Sequence, residues 1–326
     1  MPKYALLSVA LFFLGLSIPA TNYWQARDNN ESKVNRDPDA ARLITTDIDH
    51  FWKAYDDAKS DYCLGVFQRE YFDKGSEGLK AFKRLRIDQC SFIETLAGHP
   101  RYYASIREST FKVKTMEGPI RASFRKFKAM YDHAVFPSVY FLIGCLNAGG
   151  TPTDTGLLIG TEMYGRTTDT PKDELSDFLK QVLQPVDQLP HIVAHEFTHY
   201  QQKYPADAQT LLAQSIKEGS ADFIAELISG RHINTRLHAY GNPRERELWE
   251  EFKTEMNGRR YGNWLYNGLT AKDRPADLGY YVGYKICEAY YRNASDKKQA
   301  IKDILEIKDF GQFLQTSKYE KKFRPQ

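Results

Sequence analysis

Cysteine is scarce: four in 326 residues, at Cys63, Cys90, Cys145 and Cys287, with no CxxC pair. That scatter excludes zinc-ribbon and thioredoxin-like readings, which need closely paired thiols. Net charge is scarce as well. The 45 Lys and Arg against 42 Asp and Glu leave +3, too little for a dedicated nucleic-acid binder or a polybasic membrane-surface protein. No long apolar run recurs after the N-terminus and mean hydropathy is −0.57, which excludes a multi-span membrane protein. Internal repeats and low-complexity segments are missing too. What remains, 42% hydrophobic and 27% charged residues, describes an ordinary globular chain. Its one excess is tyrosine: 21, as many as glycine.

Ala5 to Ile18 form an apolar run preceded by Lys3. The run is short for a transmembrane span and suits a signal-peptide core, with cleavage expected after Ala20 at Ile18-Pro19-Ala20; an uncleaved anchor is the alternative. No Cys ends the run, so a lipid attachment site is not expected there. The chain is therefore expected to be exported, to a periplasm or beyond the cell. In an oxidising compartment Cys63–Cys90 is a candidate bridge, with buried free thiols the equal alternative. Residues 21–43 are polar and read as a linker.

The remainder, 44–326, reads as a single α+β domain with an upper lobe over 44–200 and a helical lower lobe over 201–326. Ile48, Phe51, Trp52 and Tyr55 recur at helical spacing, and Thr46 with Asp49 resembles a capping pair. Phe136–Gly144 and Thr155–Met163 are β-rich runs, read as a hairpin or neighbouring strands, with Asn147–Pro152 as a turn-rich connection. Beyond Asp173 the helical period returns.

His195-Glu196-Phe197-Thr198-His199 is an HExxH sequence. Residues four apart share a helix face, so both imidazoles can reach one metal ion while Glu196 holds a water beside it. Pro190 suits the start of that helix. Chance produces the pentapeptide in about one in a hundred chains of this composition. Flanking Ile192, Val193, Ala194 and Phe197 argue for a buried helix, and buried histidines need partners. A catalytic zinc needs a third protein ligand, and the helical segment Ile216–Leu227 offers Glu218 and Glu226.

Glu218-x-x-x-Asp222 resembles the second zinc helix of the gluzincin, thermolysin-like metallopeptidases. The resemblance implies Glu218 as third zinc ligand and Asp222 as the carboxylate behind a ligand histidine, where it fixes the tautomer. The chain is also similar to bacterial proteins predicted to be Zn-dependent proteases related to a gliding-motility lipoprotein domain. That likeness rests on Tyr140-Phe141-Leu142-Ile143-Gly144, Gly149-Gly150-Thr151, Ile159-Gly160-Thr161-Glu162 and Asp277–Lys285. It implies a zincin-like fold: a helical N-terminal region, a small twisted sheet, the active-site helix and a mostly helical C-terminal lobe. The lipoprotein members carry a lipidated Cys, which this sequence lacks. Tyr280-x-x-Gly283 resembles the Tyr-x-x-Gly of gluzincin aminopeptidases, implying an oxyanion-stabilising phenol, with Tyr281 and Tyr284 as alternatives or all three as packing residues. His191 is read as a capping or surface residue, and His232 and His238 receive no role.

The expected function is zinc-dependent hydrolysis of a peptide or protein substrate. His195, His199 and Glu218 hold Zn²⁺, Glu196 is the general base, and Tyr280 donates to the oxyanion. The Leu157–Met163 strand is expected at the cleft edge, pairing with an extended peptide. The alternative is an envelope binding or assembly protein on the same scaffold, without catalysis. Stable membrane insertion beyond the signal segment is not expected, and neither is nucleic-acid binding. Lys83-Arg84-Leu85-Arg86 and Arg121–Lys128 read as solvated helix faces. Substrate identity, endo- or exopeptidase action and oligomeric state are open at this level.

Overall fold

A computed structural model describes residues 34–323, except residues 60, 61 and 88 and the side chains of residues 89–91. The expected signal segment and most of the linker lie outside those residues. The end of the linker is held to the domain: Asp37 caps a short turn over Pro38–Ala40, and Arg125 pairs with Asp39 at 2.6 Å. Leu43–Ile44 then forms strand β1.

The N-terminal region is helical, as its periodicity predicts. Helix α1 (Thr46–Ala58) buries Ile48, Phe51 and Trp52. Short helix α2 (Leu64–Phe67) leads to α3 (Glu77–Arg86), α4 (Gln89–Gly98), α5 (Pro100–Ser105), α6 (Arg107–Lys112) and α7 (Glu117–Met130). The expected Thr46–Asp49 capping pair does not form. Thr45 is the N-cap and makes no side-chain cap bond, while Asp49 pairs with Lys114 at 2.6 Å. The buried acid of that helix, Asp47, instead accepts from the backbone and hydroxyl of Ser76 at 2.9 and 2.5 Å, and Ser76 in turn caps α3. Three buried phenols fasten this region to the sheet. Tyr71, Tyr102 and Tyr103 donate to the carbonyls of Ile143, Glu162 and Gly144 at 2.6–2.7 Å, satisfying backbone groups that no strand partner reaches.

The sheet has order β1-β2-β4-β3, with β2 at Val139–Leu142, β3 at Gly150–Thr153 and β4 at Gly156–Gly160. The two β-rich runs are parallel neighbours, pairing Val139 with Leu157 through Leu142 with Gly160. Two expectations are corrected here. The Asn147–Pro152 connection contains a strand, β3, which forms the hairpin with β4. The Leu157–Gly160 part of the Leu157–Met163 run is therefore central and paired on both sides, and Thr161–Met163 turns away as a 3-10 turn, so β3 and not that run is the edge at this end of the sheet. Pro152 explains why: a residue with no N–H is tolerated in an edge strand.

Below the sheet come α8 (Asp177–Val182), α9 (Leu189–Gln201), α10 (Leu211–Ser229), α11 (Thr235–Gly241), α12 (Glu245–Glu255), α13 (Leu278–Asn293), α14 (Lys297–Leu305) and α15 (Phe310–Ser317). The architecture is α+β, mostly helical, with one small mixed sheet. Among the described residues no helix is long and apolar enough to cross a membrane. Cys63 is exposed and free, Cys145 is buried, and Cys287 is a buried free thiol; Cys90, the other half of the candidate bridge, has its side chain outside the described residues.

Two packing features position the site. The back of α9 is fixed by Phe197, whose ring lies 4.5, 5.0 and 5.4 Å from those of Phe124, Phe127 and Phe136. Helices α10 and α13 meet backbone to backbone: a Cβ on Gly219 would lie 2.0 Å from Tyr284 N, and one on Gly283 would lie 1.8 Å from Ser215 O. Glycine is required at both positions by that approach. Gly283→Ala is therefore expected to lower unfolding free energy by about 3 kcal/mol in urea denaturation; a parental midpoint would show that the helices can separate freely.

Glu162, just after β4, is fully buried, and its Oε2 finds no hydrogen-bond partner among the described residues. Burial lifts its carboxyl from the ordinary 4.5 to about 7. An acid whose proton is held more tightly in the folded state stabilises the fold at low pH. That stabilisation is lost as pH rises from about 4.5 to 7, a loss of about 3 kcal/mol at most. Denaturation at several pH values should show a shallower slope in Glu162→Gln than in the parent, the remainder coming from Asp277, which burial raises to about 6; an unchanged slope in the variant would remove Glu162 as a source.

Candidate metal centre

Helix α9 presents His195 and His199 one turn apart on the face opposite Val193, Ala194 and Phe197, all three fully buried. Their rings lie 4.6 Å apart at 85°, with the two Nε2 atoms 3.0 Å from each other. Glu218, on α10, brings Oε2 to 3.0 Å from His199 Nε2 and 3.8 Å from His195 Nε2. The structure thus brings the three residues named from the sequence into one cluster, whose donor atoms all lie within 4.8 Å of one another. Tetrahedral zinc with ordinary N and O bond lengths separates its ligands by about 3.3 Å, so the observed 3.0–3.8 Å spacing fits the ion.

The chemistry of the donor set makes the same point. His195 Nδ1 lies 2.8 Å from Asp222 Oδ1, an acceptor only, so that nitrogen carries the proton. Gln202 spends its amide N–H groups on Lys217 O and Ser220 Oγ, at 2.7 and 2.9 Å, which turns its oxygen toward His199 Nδ1 at 2.9 Å. Both imidazoles are therefore set with the Nε2 lone pair aimed at Glu218. Three lone-pair donors facing one another in a buried site need a cation or extra protons between them.

Electrostatics are tuned accordingly. Burial alone would lower the His195 imidazolium, but the bond and charge of Asp222, with Glu196 and Glu218, raise it to about 9. Burial works against charge on Glu218, yet His199, Lys217 and His195 hold it well below the usual carboxylate range. Asp222 is itself oriented by Asn234, whose amide donates to Oδ2 at 2.6 Å.

The cluster lies on the floor of a cleft of roughly 800 Å³ between the edge strand and the lower helices. Glu196 is 8% exposed and packs over Gly150 of β3, where a Cβ would sit 2.4 Å from its carboxyl. Arg86 reaches the same wall, its Nε and Nη2 within 3.2 and 3.1 Å of Thr151 Oγ1, with the Glu196 charge beside it. It was expected on a solvated helix face; the turn of α3 instead directs it into the cleft.

Tyr280 lines the cleft with its ring nearly parallel to that of His195, 6.3 Å away at 13°. Burial and the charge of Glu218 raise its phenol well above the ordinary range, so it is a neutral donor. The alternatives are occupied elsewhere: Tyr281 bonds Asn242 at 3.3 Å, and Tyr284 bonds Glu226 at 2.6 Å. Glu226 thereby serves Tyr284, away from the histidine pair. His191 pairs with Ser229 at 2.9 Å, and the His232 and His238 rings meet edge-on at 3.9 Å beyond the cleft.

Sequence reasoning missed Gln202, Asn234 and Tyr266. Gln202 follows His199 by three positions, a spacing that could have revealed it. Asn234 and Tyr266 come from loops with no fixed spacing to the motif. Tyr266 donates to Glu218 Oε1 at 3.3 Å.

The model of a family described as Gliding motility protein GldB matches residues 43–256, 214 of the 326. The matched span contains the sheet, α9 and α10, and ends before Tyr266 and Tyr280. No curated protein and no solved structure matches the chain.

Metal binding at this cluster must displace the proton that His195 holds on Nε2 below about pH 9. Zinc affinity is thus expected to rise about tenfold per pH unit between 6.5 and 8.5, with proton release on binding. Chelator competition across that range checks it, and a flat profile would mean that His195 is not a ligand.

Proposed function

This chain belongs to the gliding motility protein GldB family, and from the geometry of its site we propose that it is an exported zinc-dependent hydrolase acting on peptide bonds. One observation carries the catalytic reading: three convergent lone-pair donors with a further carboxylate, Glu196, outside the donor set at the floor of an open cleft. His195, His199 and Glu218 would hold Zn²⁺ on a zincin-like scaffold. When bound, the ion polarises an acyl oxygen and makes water acidic at neutral pH.

The remaining steps belong to side chains. Glu196 accepts the proton of the attacking water and passes it to the leaving nitrogen, while Gly150 leaves room for its carboxyl. Tyr280 offers a neutral O–H for the charge that develops on the acyl oxygen, its ring steadied by that of His195. Asp222 and Gln202 keep both histidine tautomers in the ligating form. Edge strand β3 borders the cleft, and a peptide would lie along it with Gly150 as its main pairing residue, since Pro152 cannot donate.

The second reading is an envelope protein that binds or assembles with partners and catalyses nothing. Family membership supports this reading better than it supports catalysis, because a gliding-motility protein implies a place at the cell envelope and names no reaction. The same membership fits the exported location expected from the sequence.

Glu196→Gln separates the readings, since that residue is not a ligand in the proposed centre. The expected result is one zinc per chain in both parent and variant, with cleavage of a peptide library by the parent falling about a thousandfold or more in the variant. Full zinc with no cleavage by the parent favours the envelope role, with a structural metal. Equal cleavage by both proteins would refute the assignment of Glu196.

A further inference from the structure

Residues 257–277 close the cleft on the Glu218 side, and their backbone is held in an unusual way. Tyr266 has φ 55° and Asp277 has φ 63°, both in the left-handed region that non-glycine residues enter rarely. Such conformations persist only where the surroundings over-determine them. The Tyr266 N–H donates to Asp277 Oδ1 at 2.6 Å, and the Asp277 N–H donates to Asn267 Oδ1 at 2.9 Å. Gly279 N–H donates to Trp264 O at 2.8 Å, which ties the loop to the start of α13. Trp264 and Leu265 anchor it in the core, and Asn267 is 6% exposed. Tyr261 stands edge-on against the Tyr266 ring at 6.2 Å and fixes its own hydroxyl on Gln209 O at 2.6 Å.

This scaffold delivers one atom to one place. The Tyr266 hydroxyl lies 3.3 Å from Glu218 Oε1, the oxygen turned away from the histidines, while Oε2 faces His199 at 3.0 Å. A carboxylate with both oxygens free can swing or chelate through both. One whose second oxygen accepts from a fixed phenol offers a single oxygen in a single direction. We propose that Tyr266 is a positioning residue for Glu218: its hydroxyl holds Oε1 and so keeps the third ligand monodentate, leaving room at the metal for water. The inference rests on the reading that His195, His199 and Glu218 hold Zn²⁺. It concerns a loop that begins after the family match ends at residue 256, so this latch is a property of the chain and not of the matched span.

The test compares the parent with Tyr266→Phe, which deletes one oxygen and keeps the ring, and with Asn267→Ala, which loosens the mount and keeps the phenol. Zn²⁺ affinity is read by chelator competition, coordination by the visible spectrum of the Co²⁺-loaded protein, and folding by thermal melting without metal. Tyr266→Phe should melt like the parent, bind Zn²⁺ at least about tenfold more weakly, and show weaker Co²⁺ absorption as Glu218 takes up a second bond. Asn267→Ala should shift both readings in the same sense by less. Parental Zn²⁺ affinity with an unchanged Co²⁺ spectrum in Tyr266→Phe, or in Asn267→Ala if the first does not fold, overturns the role of Tyr266 while leaving the metal centre standing. A parent that takes up neither Zn²⁺ nor Co²⁺ overturns the centre and this role together.

Discussion

Two helices that meet backbone to backbone cannot slide, and the site depends on such a contact. At Gly219 and Gly283, a Cβ on either helix would fall within 2.0 Å of the other's main chain. Glu218 adjoins the first glycine, and Tyr280 lies about one turn before the second. The contact therefore fixes the heights of the carboxylate and the phenol relative to each other. On the other side, the phenylalanines around Phe197 fix the rotation of α9, and with it the direction of both imidazoles. The Asp222–His195 bond joins α9 to α10 at 2.8 Å, so three helices share one reference point.

That rigidity is needed because the arrangement is unfavourable by itself. Once His195 gives up its Nε2 proton, three acceptors gathered in a buried site repel one another, and a mobile imidazole would relieve the conflict by turning away. Gln202 and Asp222 prevent this by binding the Nδ1 side of each ring, and Gln202 is in turn locked by Lys217 O and Ser220. The conflict is thus concentrated at one place and supported by a well-satisfied surrounding network. A protein's local exceptions to good packing sense are expected at such functional positions.

The site was legible where its parts recur at helical spacing. HExxH and Glu218-x-x-x-Asp222 are i,i+4 pairs, and a helix converts that spacing directly into a shared face. The helical N-terminal region was legible for the same reason. The sheet was only half legible, because Gly149-Gly150-Thr151-Pro152 has the composition of a turn and yet pairs with β4 as an edge strand. Local propensity could not reveal that the edge tolerates a proline and that the cleft needs a glycine under Glu196. Thr46 was misread because a capping pattern one residue out of register looks the same in sequence. Arg86 was misread because a cluster of charge gives no direction to its last member. Tyr266 was invisible: the bond between Tyr266 and Glu218 spans 48 positions and depends on two left-handed residues in a loop.

The tyrosines that stood out in composition divide by what their hydroxyls meet. Tyr71, Tyr102 and Tyr103 close carbonyls at the strand ends, fastening the sheet whose edge strand sets Gly150 against Glu196. Tyr281 and Tyr284 tie the far side of α13 to Asn242 and Glu226. Tyr266 and Tyr280 alone among these turn toward the three donors, and both lie beyond the residues that match the family. The donor set and the phenols are therefore carried by different parts of the chain. The matched span holds the two histidines, Glu196 and Glu218, the residues that would hold the metal and the base of the proposed reaction. The phenols that would restrain the third ligand and meet developing charge come from the helix and loop that follow it, outside the residues that match the family.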